Sequence, residues 1–180
     1  MESEKTVCGK CPICGADVVK TLKGWACADS LLSEPKCQFF LFSTVGNRKL
    51  SDSEASILLS EKRILLDGFA TREGKCFSSI LSFNQDGSVN MSSQIGNCPK
   101  CGGILYTGAK SVSCGNFKRQ ENPCNFTIWR NIGGHDLLLS QIEEIIHNGA
   151  TSEAVTMYDS RGCKSDHRIG LNADKEVVRL

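Results

Sequence analysis

The sequence has little net charge and no long hydrophobic run. Its 21 basic and 20 acidic residues leave a formal charge of +1 at pH 7, so it lacks the strongly basic character that draws many proteins to DNA. No apolar stretch approaches the ~20 residues that cross a bilayer, and the first residues contain no hydrophobic signal core. We therefore expect a soluble, cytoplasmic protein without a membrane partner, in which any nucleic-acid binding depends on local patches.

Residue patterns of catalysis are also missing. The three histidines, His135, His147 and His167, are scattered, and the sequence contains no nucleophile–base signature or phosphate-binding loop. Tyr106 and Tyr158 have no acidic cluster beside them that would indicate metal-dependent nucleotidyl transfer. We expect no enzymatic activity from this chain alone.

Cysteine, by contrast, is abundant, and eight of the eleven cysteines form one pattern that occurs twice. Each copy begins C-P-x-C-G, with twelve residues between its second and third cysteines and nine between its third and fourth, and the second copy follows the first at an offset of 87 residues. This spacing is typical of metal ligands in a reducing compartment rather than of a disulfide scaffold. The predicted ligands are Cys11, Cys14, Cys27, Cys37, Cys98, Cys101, Cys114 and Cys124.

Four thiolates with no open position indicate a structural zinc ion, so we expect two Zn²⁺ ions per chain. Two alternatives are an iron–sulfur cluster and a degenerate ribbon whose cysteines are simply buried. Cys8 adds a competing triplet with Cys11 and Cys14 but has no counterpart in the second copy, so we leave it outside the site. Cys76 and Cys163 lack ligand partners nearby and are interpreted as inert or partly buried thiols.

The repeat extends beyond the cysteines, and this predicts two tandem modules, residues 1–91 and 92–180. The fold class expected is α+β, each module being a zinc ribbon followed by a short helix and a β-hairpin. A capping-box pattern at Ser51–Glu54 predicts a helix over 52–62, with its counterpart over 138–147. The polar segment 91–97 resembles a linker.

Strands are predicted after the last ligand of each copy, over 39–45 and 126–131, and a later strand is predicted over 167–171. Alternation along the first of these strands places Phe42 on the face opposite Phe39.

Aromatic residues on these strands are candidates for stacking with bases. Phe42 and Trp129 are the better candidates, because Phe39 and Phe126 occur in both copies and suit the core. The basic residues that flank the second ribbon, interpreted either as phosphate contacts or as ordinary solvated surface, are Lys110, Lys118, Arg119 and Arg130.

The order C-P-x-C-G, C, C-x-F-x-[IL]-[FW], a glycine, a short helix and a hairpin resembles the C-terminal repeats of type IA DNA topoisomerases. The resemblance covers almost the whole chain. It implies that the eight cysteines bind zinc and that Phe39, Phe42, Phe126 and Trp129 lie on the family's aromatic strand. The chain departs from the family pattern in having Lys62 where the helix usually closes with glycine, and it shows none of the catalytic domains.

Two functions follow as hypotheses. The first is a non-catalytic module that binds nucleic acid, single-stranded DNA above all, beside a topoisomerase catalytic body. The second is a zinc-ribbon adaptor that binds a polymerase subunit or other DNA-processing machinery, which the near-neutral charge suits.

Overall fold

The computed structural model describes residues 6–180, which divide into two compact units. Unit 1 ends at Ser92 and unit 2 begins at Ser93. Two α-helices and many short strands in the described residues give the mixed composition of an α+β protein. None of the helices described is long and apolar enough to cross a membrane.

Unit 1 opens with a four-stranded antiparallel sheet. In spatial order its strands are β1 (Val7–Lys10), β2 (Asp17–Lys20), β3 (Gly24–Cys27) and β4 (Phe40–Phe42). A two-stranded ribbon, a helix and a three-stranded antiparallel sheet follow, namely β5 (Thr44–Val45), β6 (Arg48–Lys49), α1 (Asp52–Glu61), β7 (Arg63–Ala70), β8 (Cys76–Phe83) and β9 (Val89–Ser92).

Unit 2 repeats the four-stranded sheet and the helix but divides its later strands into two pairs. Its elements are β10 (Gln94–Asn97), β11 (Ile104–Thr107), β12 (Ser111–Cys114), β13 (Thr127–Trp129), β14 (Asn131–Ile132), β15 (His135–Asp136), α2 (Leu139–Asn148), β16 (Val155–Tyr158), β17 (Lys164–His167), β18 (Ile169–Leu171) and β19 (Val177–Arg179).

Helix α1 begins where the sequence predicts. The Ser51 hydroxyl accepts a hydrogen bond from the Glu54 amide at 3.2 Å, and the Glu54 carboxylate accepts one from the Ser51 amide at 2.9 Å, so two amides at the open helix end have partners. Arg48 pairs with the same carboxylate. The helix ends at Lys62, which has a left-handed φ of 61°.

The prediction of a single strand over 39–45 and another over 126–131 is wrong, because each segment is divided into two strands. In unit 1 the break falls at Ser43, whose amide donates to the Lys23 carbonyl and whose carbonyl accepts from Leu50. These bonds end the pairing with β3 and begin that of β5 with β6. In unit 2 the break falls at Arg130, whose amide and carbonyl bond Lys110 and Leu137 in the same way.

Two further expectations are corrected. The strand predicted over 167–171 divides at Arg168, because the Thr151 hydroxyl accepts the Ile169 amide hydrogen bond at 3.1 Å and the chain passes from β17 to β18. Most of the segment expected to be a linker, 91–97, is strand, since residues 94–97 pair with β11 and form the edge of the second sheet.

Candidate metal centres and nucleic-acid interface

Four cysteines meet at one end of the first sheet. Cys11 and Cys14 lie in the turn between β1 and β2, where Gly15 has a φ of 79° that favours glycine. Cys27 ends β3, and Cys37 precedes β4. All four sulfur atoms lie within 4.8 Å of one another, with 3.7 Å between Cys11 and Cys37 and 3.4 Å between Cys14 and Cys27.

The second sheet gathers its four cysteines in the same way. The sulfur atoms of Cys98 and Cys124 are 3.7 Å apart, and those of Cys101 and Cys114 are 3.4 Å apart. Tetrahedral zinc with Zn–S bonds of about 2.3 Å requires sulfur atoms about 3.8 Å apart. Both clusters therefore fit a four-coordinate metal ion, and their separations far exceed the ~2.05 Å of a disulfide bond.

Each site combines one exposed cysteine with three buried ones. Burial and the neighbouring sulfur atoms raise the pKa of Cys27 and of Cys114 to about 12. The backbone amide of Gly103 lowers the pKa of Cys101 to about 6, and that of Ala16 lowers the pKa of Cys14. Backbone amides therefore favour thiolate at the exposed ligand, whereas the buried sulfur atoms need a proton or a cation close by.

The three remaining cysteines lie outside both clusters. Cys8 is buried in β1, where its thiol faces the Thr6 carbonyl at 3.8 Å. Cys76 and Cys163 are exposed, so the partly buried alternative is wrong for both, and the interpretation as inert thiols stays a prediction.

The strand after each last ligand separates core from surface by alternation. Phe39 and Phe126 are buried, which confirms their interpretation as core residues. Phe42 and Trp129 are 61% and 59% exposed. The Phe42 ring packs edge-on against Phe40, with 4.8 Å between centroids, so part of its apolar surface is already in contact.

Trp129 lies in a shallow groove on the outer face of the second sheet. Tyr106 and Phe117, which the sequence did not indicate as binding residues, line this groove together with Lys118. Tyr106 alternates with buried Leu105 along β11, and this alternation could have identified it. Phe117 lies in a short 3₁₀ turn after Cys114, where no strand periodicity applies.

The four basic candidates do not form one cluster. Lys118 lines the groove of Trp129, whereas Arg119 lines a neighbouring groove with Cys101. Lys110 is exposed in the turn between β11 and β12. The guanidinium of Arg130 donates hydrogen bonds to the carbonyls of Gly108 and Ala109 at 3.1 and 3.2 Å, and so braces that turn.

Among the residues that the structure describes, the corresponding face of unit 1 is closed. Val19 and Ala26, which occupy the places of Tyr106 and Ser113, are buried, at 4% and 1% exposure. The two units thus share a metal-binding frame but differ in the surface that they place beside it.

The fold and the two centres define a class of protein: paired small modules, each carrying a four-cysteine site suited to a structural metal. Comparison with known proteins shows which family part of the chain resembles. Residues 36–92 match the family described as the C-terminal repeat of topoisomerase. Over 149 residues the chain is 28% identical to DNA topoisomerase 1 of Bacillus anthracis. The resemblance predicted from the sequence is confirmed.

The extent of these matches limits what they transfer. The alignment covers 79% of this chain but 16% of the Bacillus anthracis protein, so the chain spans a small part of that relative's length. The matching family is a C-terminal repeat and not a catalytic domain. No solved structure matches the chain significantly.

Proposed function

We propose that this chain is a non-catalytic, zinc-binding module that holds single-stranded DNA beside a topoisomerase catalytic body. The groove of unit 2 is the observation that carries the proposal. It combines Tyr106, Phe117 and Trp129 with Lys118, next to the metal ligand Cys114. Aromatic rings offer stacking surfaces that every base can use, and a cation beside them meets the phosphate backbone.

The roles of the residues follow from their positions. Trp129 stacks against a base, and Phe42 offers a weaker stacking surface in unit 1 because Phe40 contacts its ring. Lys110, Lys118 and Arg119 are exposed and available for phosphate contacts. Arg130 supports them indirectly, since its hydrogen bonds fix the turn that carries Lys110.

Zinc in both four-cysteine sites, when bound, has no open coordination position, so it crosslinks the ribbon and supplies no catalysis. We propose that the two modules, residues 1–91 and 92–180, each hold one ion. The abundance of free cysteines supports a reducing location such as the cytoplasm.

Binding of a fluorescent T-rich oligonucleotide to the zinc-loaded chain tests the proposal. We expect Trp129→Ala to weaken binding by about 5- to 150-fold, the equivalent of the ~1–3 kcal/mol that stacking one base contributes. Tyr158→Ala is the matched control, because Tyr158 is an exposed aromatic of unit 2 outside the groove. Absence of binding by the zinc-loaded chain at 50 mM salt would refute single-strand binding.

The near-neutral charge favours a second candidate, a protein-interaction adaptor. In that case the groove binds a protein side chain instead of a base. Capture of a polymerase subunit by the zinc-loaded chain after nuclease treatment, with no oligonucleotide binding, would support the adaptor over the DNA-binding module.

A further inference from the structure

One side chain distinguishes the two metal centres. The Asn116 amide nitrogen donates a hydrogen bond to the sulfur of Cys101 at 3.4 Å, and its backbone nitrogen donates to Cys114 at 3.4 Å. Cys101 is the solvent-facing ligand of the second site. Asn116 therefore contacts two ligands at once, and one of them is the exposed Cys101.

A glycine makes room for this amide. A Cβ at Gly103 would lie 2.5 Å from the Asn116 amide nitrogen. Unit 1 has Ala16 and Asp29 at the two corresponding positions, so the space is filled and the ionised side chain has no hydrogen to donate. The Cys27 sulfur accepts no cap hydrogen bond at the start of its 3₁₀ turn, whereas the Cys114 sulfur accepts one from the Asn116 backbone. The two sites therefore differ in both hydrogen bonds that Asn116 donates to sulfur.

Charged side chains near the two sites also favour tighter metal binding at the second site. The loop between the third and fourth ligands carries Asp29, Glu34 and Lys36 in unit 1. In unit 2 it carries Lys118, Arg119 and Glu121, and Lys100 replaces Ile13 between the first two ligands. Zinc with four thiolates has a charge of about −2, whereas four thiols are neutral. Nearby cations therefore favour the loaded state of the second site.

We propose that the two metal sites are unequal, with Asn116 as a positioning residue that makes the second site the tighter one. The first site, whose exposed Cys14 has Asp29 in place of an amide donor, releases its ion first. The inference rests on the proposal that both clusters hold zinc. Loss of such an outer hydrogen bond lowers metal affinity by about 10- to 100-fold in other sites, and we expect a difference of this size.

Timed chelation of the zinc-loaded full chain tests the order of release. Native mass spectrometry after addition of EDTA should show a persistent one-zinc species, and maleimide labelling with peptide mapping should mark Cys14 before Cys101. Asn116→Ala should speed zinc loss from the second site by about 10- to 100-fold. Gly103→Ala should have a similar effect, because the added Cβ displaces the Asn116 amide. The backbone at Gly103 does not have a positive φ, so alanine causes no backbone strain there. Gln120→Ala, an amide truncation in the same loop, is the control.

The reciprocal change makes the test stringent. Ala16→Gly combined with Asp29→Asn rebuilds the second site's arrangement in unit 1 and should slow zinc loss there.

In the cobalt-loaded chain, Asn116→Ala should shift the thiolate-to-metal absorption of one site, because an N–H···S bond changes the donor strength of sulfur. A purely structural role would leave that absorption unchanged.

Three results would overturn the inequality: simultaneous release of both ions, earlier release from the second site, or unchanged rates in Asn116→Ala. The zinc count separates this failure from that of the proposed function. A chain that binds no zinc refutes the zinc sites and the inequality together, whereas two equally labile ions refute the inequality alone.

Discussion

Loss of one exposed ligand should unfold the whole of unit 1 and not its ribbon alone. The ribbon shares one continuous hydrophobic core with α1 and the three-stranded sheet. The rings of Phe39 and Phe83 join the ribbon to β8, with 5.4 Å between centroids. A Cβ at Gly87 would lie 2.7 Å from Ile13 Cδ1, so the turn between β8 and β9 packs directly on the ligand-bearing turn.

Cys14→Ser tests this coupling with little loss of packing, because Cys14 is exposed. Structural zinc contributes an apparent ~10–16 kcal/mol in small ribbons, whereas the net stability of a typical domain is ~5–15 kcal/mol. A variant that no longer retains the ion therefore loses most or all of the free energy that keeps unit 1 folded. We expect it to be unfolded at room temperature.

Hydrogen exchange read residue by residue is the assay. The amides of Ile80 and Leu81, which lie in β8 far from the ligands in sequence, should lose protection together with those of β2 and β3. Cys76→Ser is the matched control, since Cys76 is an exposed cysteine of the same unit outside the metal cluster. Protection that persists in β8 while the ribbon exchanges freely would refute the shared-core reasoning.

Two smaller predictions concern α1. The Arg48 guanidinium hydrogen bonds hold the pKa of Glu54 below its usual value of 4.5. Their stabilisation is therefore present above pH ~4.5 and is lost as the pH falls through the lowered pKa, so the melting temperatures of wild type and Glu54→Gln should converge as the pH falls through that pKa. Lys62→Gly should raise the free energy of unfolding by up to ~1 kcal/mol in urea titrations, because the left-handed φ of 61° strains lysine but not glycine; an unchanged or lower value would contradict this.

The parts of the fold that the sequence predicted are those encoded by local patterns. The cysteine spacing identified both clusters, and the pattern from Ser51 to Glu54 located the start of α1 within a residue. Strand alternation distinguished buried Phe39 from exposed Phe42. Each of these signals depends on residues a few positions apart, whose geometry is fixed before distant contacts form.

The parts that were wrong depend on partners distant in sequence. Strand β4 ends at Ser43 because of hydrogen bonds with Lys23 and Leu50. The residue type at position 43 does not predict these bonds. Likewise, Gln94–Asn97 is polar and becomes a strand because β11 supplies a partner edge. Tyr106 and Phe117 were missed as groove residues since they meet through the folding of the sheet and a 3₁₀ turn.

Comparison of corresponding positions in the two units shows which interactions are kept in both and which differ. At the helix start, Arg48 with Glu54 in unit 1 becomes His135 with Gln141 in unit 2, where the Gln141 side-chain oxygen accepts from Leu138 at 2.9 Å. The bond between the side-chain oxygen and the capping amide is kept without its charge, whereas the hydroxyl half of the cap is lost, because Leu138 makes no side-chain cap hydrogen bond.

On the outer face of the ribbon, by contrast, the side chains differ in both burial and chemistry between the two units. Buried Val19 and Ala26 become Tyr106 and Ser113, and Ser30 becomes exposed Phe117. Replacing buried aliphatic side chains with exposed aromatic and hydroxyl groups gains nothing for a small core. This exchange supports the proposal that the second ribbon's face contacts a partner, and the same unit carries the metal site whose exposed cysteine accepts a hydrogen bond from Asn116. If both proposals hold, the unit that binds the partner is also the unit that loses its zinc last.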